Sequence, residues 1–158
     1  MNRRFFVTAL FTAVLLFVLN ALVFVAFLND FFLSHPAVSK SFMKQLYRPQ
    51  DEIVVWATII SALAIGLLVT VVIHWSGARS FSAGLQKGFV FGILLLSSVD
   101  FGLLASTNNF TTAGAFADLI CSTSTITLSG AFCAWMLGKE ERKALKNTVG
   151  KEEVMEIA

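Results

Sequence analysis

Long apolar runs dominate this chain, and its polar residues gather in the gaps between those runs. A helix rises about 1.5 Å per residue, so about 20 mainly apolar residues cross a hydrocarbon core roughly 30 Å thick. Four segments reach that length, at about residues 5–28, 53–75, 84–106 and 115–138. The pattern predicts an all-α protein, an integral membrane four-helix bundle. No internal repeat and no Pro- or Ser-rich linker divides it, so a single domain is expected, with a tail at 139–158.

The gap between the first two spans, "NDFFLSHPAVSKSFMKQLYRPQDE", is the only sizeable connection. Ser34 is placed to cap a helix that Pro36 helps to start, and Pro49 to stop it. Val38, Phe42 and Leu46 recur every four residues, with Met43 and Tyr47 beside them and Lys40 and Lys44 projecting elsewhere. This predicts a short amphipathic helix lying on the outer membrane surface. A connector resting on lipid headgroups accounts for it, a lid or a partner-binding element being the functional alternative. The tail "KEERKALKNTVGKEEVMEIA" mixes five basic with five acidic residues, and reads as the fourth helix prolonged into water.

Composition excludes a water-soluble domain: hydrophobic residues make up 56% of the chain, charged residues 14%, and mean hydropathy is +0.77. "MNRR" gives the first span a basic start like that of a signal peptide. Its apolar run is about twice the usual length of such a segment and lacks a small-residue cleavage site, so it reads as a retained span.

Charge orients the bundle. Arg3, Arg4, Arg79, Lys87, Lys139, Arg142, Lys143, Lys146 and Lys151 fall on one side, and Lys40, Lys44 and Arg48 on the other. Nine against three places both termini in the cytoplasm, with a bacterial cytoplasmic membrane as the expected setting. The net charge of +2 is thus a topology signal, and no basic face suits nucleic acid. Trp56 opens the second span and Trp75 closes it, 19 residues apart, as an aromatic belt at each interface requires. Cys121 and Cys133 fall on one helix about 18 Å apart, too far to pair, and read as small packing residues.

The chemistry gathers in the last two spans. Gly84, Gly88 and Gly92 make a bare face on the third, and Gly130, Ala134 and Gly138 repeat the device on the fourth. These faces suit either a tight antiparallel hairpin or association between copies. The other halves of the same helices turn polar. Asp118, Ser122, Thr125 and Ser129 form one stripe on the fourth span, while Ser97 lies one turn before Asp100 on the third. The two acids are equidistant from position 109, so they should lie at similar depth across the hairpin. If they meet there, like charge and burial make them share a proton.

Intramembrane acids seldom face lipid, since a charge at the bilayer centre costs on the order of 3 kcal/mol on insertion scales. Three uses compete. The acids accept hydrogen bonds from Ser, Thr and Asn on neighbouring helices, Asn20 being a candidate; or they bind or relay a proton or cation; or they hold a catalytic metal. No histidine supports the last, His35 lying in the outer connection and His74 at the opposite face. No nucleophilic triad, phosphate loop or CxxC is visible, so no enzyme, cofactor or metal is expected. The sequon at Asn109 falls in a turn too close to the bilayer for modification to be expected.

The stretch "GFVFGILLLSSVDFGLLASTNNFTTAGAFADLICSTSTITLSGAFCAWMLG" resembles the C-terminal half of a family of small four-span bacterial membrane proteins of the domain-of-unknown-function type. The resemblance rests on Gly88 and Gly92, Asp100 late in the third span, Asn108 in the turn and Asp118 opening the fourth. It implies the four-span fold and topology rather than an activity. Two functions are therefore expected. One is an interaction, assembly or accessory subunit of the membrane, as a homo-oligomer or with a membrane-protein partner. The other is a proton- or cation-coupled binding protein or carrier of small solutes using Asp100 and Asp118, with Asn108, Ser97, Ser122 and Thr125 around them.

Overall fold

A computed structural model describes residues 3–39, 41, 42, 45, 48, 52–108 and 110–139. Among these the chain is helical throughout its ordered elements, and four helical segments are long and apolar enough to cross a membrane. The first comprises α1 (Arg3–Val23), a π-helical turn (Phe24–Leu28) and α2 (Asn29–Ser34) in direct succession. The others are α3 (Val55–Trp75), α4 (Phe81–Ser106) and α5 (Thr112–Leu137).

Local chemistry sets the ends. The first segment runs past the expected boundary at 28 to Ser34, because nothing in Asn29 or Asp30 forbids helix. It stops at His35, which has left the helical region (φ −125°, ψ 59°) as the residue before a proline must. Pro36 thus ends a helix rather than starting one. Ser34 is correspondingly not the cap of an outer helix: its hydroxyl donates to the Phe31 carbonyl at 2.9 Å. The cap falls instead to Ser39, whose hydroxyl accepts from the Phe42 backbone N–H at 3.4 Å, and helical conformation resumes at Ser41, Phe42 and Gln45. Lys40, Met43, Lys44, Leu46, Tyr47 and Pro49, which completed the expected amphipathic pattern, lie outside the described residues, as do the sequon residue Asn109 and the tail from Glu140.

Between α3 and α4 the chain reverses through Gly77, whose φ of 69° is the left-handed conformation that glycine adopts freely. The Ser80 hydroxyl then caps α4 by accepting from the Ala83 N–H at 3.2 Å. Thr111 caps α5 in the same way through the Gly114 N–H at 3.0 Å, which starts that helix three residues earlier than the apolar pattern indicated.

Helices α1 and α3 run antiparallel, as do α4 and α5, while α3 and α5 run in the same direction. On α1 and α3, Phe5 meets His74 in an edge-on ring contact and Ala13 packs on Gly66, which has no room for a Cβ. On α4 and α5, Gly84 faces Gly130 and Ala134, Gly88 faces Thr127, and Gly92 faces Ile126 and Thr123. Helix α5 touches α4, α1 and α3, and is the central element. Half of its membrane-length window is buried, against 17–22% for the other three. The apolar core of Leu16, Val69, Ile73, Ile126, Cys133 and Ala134 gathers around it. Large side chains on the outer faces, among them Leu10, Val14, Ile60, Phe89 and Leu94, are exposed and available to hydrocarbon. Trp56 and Trp75 stand exposed at opposite ends of α3. We call the end where α1 starts and α5 stops the proximal end, and the end carrying the α4–α5 turn the distal end.

Candidate functional site

The distal part of the α4–α5 hairpin carries both acids. Asp100 lies six residues before the end of α4 and Asp118 six residues after the start of α5. Each is therefore about 9 Å from its end of the turn, at matching depth. Asp118 lies within electrostatic reach of Asp100.

Their surroundings differ. Asp100 is only 2% exposed, and its Oδ2 is buried without a hydrogen-bond partner among the described residues. Asp118 is half-buried, and its Oδ1 accepts from the Ser122 hydroxyl at 3.0 Å, one turn along the same helix. The cross-helix hydrogen bonds expected of acids that merely join helices are not found among the described residues: Asn20 and Thr125 are occupied with each other. The Thr125 hydroxyl lies 2.9 Å from Asn20 Oδ1 and 2.9 Å from the Ser122 carbonyl. Thr125 therefore belongs to the seam between α5 and α1, and the stripe of four polar residues serves two neighbours.

Ser97 is half-buried and Asn108 exposed in the turn. Neither is hydrogen-bonded to a carboxylate among the described residues. Aromatic rings close the distal end. Phe32 from α2 lies against Gly114, where an added Cβ would sit 3.2 Å from its ring, and meets Phe110 edge-on at 6.0 Å. Phe101 and Phe116 make a second edge-on pair across the hairpin at 5.4 Å.

The proximal half of the hairpin is closed by its glycines. A Cβ on Gly84 would come 2.6 Å from the Gly130 carbonyl oxygen and 2.7 Å from Ala131 Cα, and one on Gly130 would meet Gly88 Cα at 3.0 Å. Gly138 is buried where α5 stops and donates its N–H to the Ala134 carbonyl at 3.0 Å. The glycine faces are thus turned toward each other within one chain.

Sequence reasoning missed a second polar group. Thr12, Thr70 and Ser129 are fully buried near the proximal side, and the Cys133 thiol lies beside Thr12 and Thr70. Thr70 donates to the Gly66 carbonyl at 2.8 Å, while the Ser129 hydroxyl has no partner among the described residues. The spacing of Thr8 and Thr12, one turn apart on α1, was the available signal. Among the described residues no three of His, Cys, Asp and Glu come together as a metal site would need.

Compared with known protein families, curated proteins and solved structures, the chain matches none. Function has to be argued from the site itself.

Proposed function

We propose that this protein is a small membrane protein that binds a proton or cation at Asp100 and Asp118 and couples that binding to a small solute. The observation that carries this reading is the buried Oδ2 of Asp100, without a hydrogen-bond partner among the described residues and within electrostatic reach of a second carboxylate. A carboxylate serving only to hold helices together would be expected to accept hydrogen bonds from them. One left without a donor at membrane depth is met by a proton or a cation instead. Asp118, half-buried and held by Ser122, is the partner nearer to water.

The reading as an assembly or accessory subunit rested on glycine faces free to dock another helix. Those faces are occupied within the hairpin, so such a role would have to use other surfaces. Association into a homo-oligomer, or with another membrane protein, remains compatible with the carrier and would enlarge what four helices enclose. We place the protein in a bacterial cytoplasmic membrane with the proximal end inside. The support is the basic residues at that end: Arg3 and Arg4 start α1, Arg79 lies in the α3–α4 turn and Lys139 follows α5. No enzymatic step is proposed.

The test is reconstitution into vesicles carrying an internal pH dye, with parent, Asp100→Asn and Asp118→Asn compared after an imposed pH step. The parent should pass protons, and both variants should lose most of that flux while keeping the helical content of the parent. A parent that passes no more protons than empty vesicles, or folded variants that pass as many as the parent, would contradict the reading.

A further inference from the structure

A groove of about 430 Å³ opens between α1 and α3, away from the carboxylate pair in its lining. Phe17 and Asn20 line it from α1, and Thr58, Ser61, Ala62 and Ile65 from α3. None of the lining residues is charged. Their order along the helices is directional. Thr58 and Ser61 lie three and six residues from the distal start of α3, about 5 and 9 Å deep, while Ile65 lies about 15 Å deep. On α1, which runs the other way, Phe17 is one turn deeper than Asn20. The groove is therefore polar toward the distal membrane face and apolar toward the bilayer centre.

Its polar end offers donors. A threonine hydroxyl has one proton, so Thr125 gives it either to Asn20 Oδ1 or to the Ser122 carbonyl. In the first case both N–H groups of Asn20 are left over; in the second, its amide turns to donate one N–H to the Thr125 oxygen and keeps the other. Asn20 is exposed, and in either arrangement it has at least one N–H to give to the groove. Ser61 is also exposed and makes no hydrogen bond among the described residues. Thr58 reaches only the Val54 carbonyl, at 3.4 Å.

We infer that this groove is a binding site for a bilayer lipid, with an ester carbonyl accepting from Asn20 and Ser61 and the attached acyl chain lying along Ala62, Ile65 and Phe17. An uncharged acceptor above a hydrocarbon tail matches the groove in polarity and in direction. A charged solute has no counter-charge there, and a purely apolar occupant would leave the donors unpaired in a medium where that is costly. The inference is independent of proton binding at the acids, since none of its residues is a carboxylate.

The experiment uses vesicles of two phosphatidylcholines in equal amounts, one diacyl and one dialkyl-ether, with the same headgroup and chain length. The ether lipid lacks the carbonyls and nothing else. The full chain is extracted, and the lipids it retains are counted by native mass spectrometry. The parent should retain the ester lipid at least about fivefold over the ether lipid, the discrimination that one net hydrogen bond supplies. Ser61→Ala, which disturbs no other contact described, should bring that ratio toward one, and Asn20→Leu should abolish it. Ala62→Phe, which fills the deep end, should reduce retention of both lipids. An equal ratio in the parent, or an unchanged ratio in Ser61→Ala and Asn20→Leu, would overturn the inference. So would displacement of the ester lipid by an equimolar long-chain quinone, which would assign the carbonyl to a quinone instead.

Discussion

The two halves of the α4–α5 hairpin use opposite means to join the same pair of helices. In the proximal half, Gly84, Gly88 and Gly130 remove side chains so that backbone meets backbone. In the distal half, Asp100, Asp118 and Ser122 place polar atoms between the helices, and one of those atoms is left without a partner. Close backbone contact gains dispersion with no loss of side-chain freedom, which suits a bilayer where burial away from water provides no drive between helices. Polar insertion at membrane depth is justified only if something mobile completes it. The hairpin thus has a rigid closed end, and an end built to change its partners.

The largest expected effect tests the closed end. Gly84→Val would drive its side chain into the Gly130 carbonyl and the Ala131 backbone, neither of which can rotate away. It should cost about 3 kcal/mol, the upper range for overpacking, in detergent unfolding followed by circular dichroism. If the variant unfolds with the parent, backbone contact is not what holds this half together.

A smaller loss is expected at the seam with α1. Thr125→Val keeps the shape of the side chain and removes its bond to Asn20, which should cost about 1 kcal/mol in the same assay. Ser122→Ala, at a half-buried bond within one helix, should cost about 0.5 kcal/mol. The smallest effect belongs to Asp100→Asn. Since no hydrogen bond to its buried oxygen is lost, stability should change less than in the three variants above. A large destabilisation there would make Asp100 a structural residue, and the contrast between the two halves would collapse.

Much of this contrast is legible in the sequence. Apolar run length places α3, α4 and α5 within a few residues, because membrane thickness fixes how long a helix must be. The four-residue spacing of Gly84, Gly88 and Gly92 identifies a bare face before any neighbour is known. Periodicity does not say which neighbour a face meets, and that is why Thr125 shares a stripe with Asp118 yet turns its hydroxyl to Asn20 on α1. The first helix was read six residues short because Pro36, compatible with starting a helix, here forces its predecessor out of one. Thr58 and Ser61 carry no signal in the sequence for a related reason. Hydroxyls in a span are commonplace, and only the groove opposite Asn20 makes these two informative.

The central claim is that Asp100 holds a proton site rather than a structural contact. Its most direct test is proton flux into vesicles carrying either the parent or Asp100→Asn, with the folding of each checked by circular dichroism. The account predicts that the variant folds like the parent and loses most of its proton flux. An equally folded variant that passes protons as the parent does would contradict it.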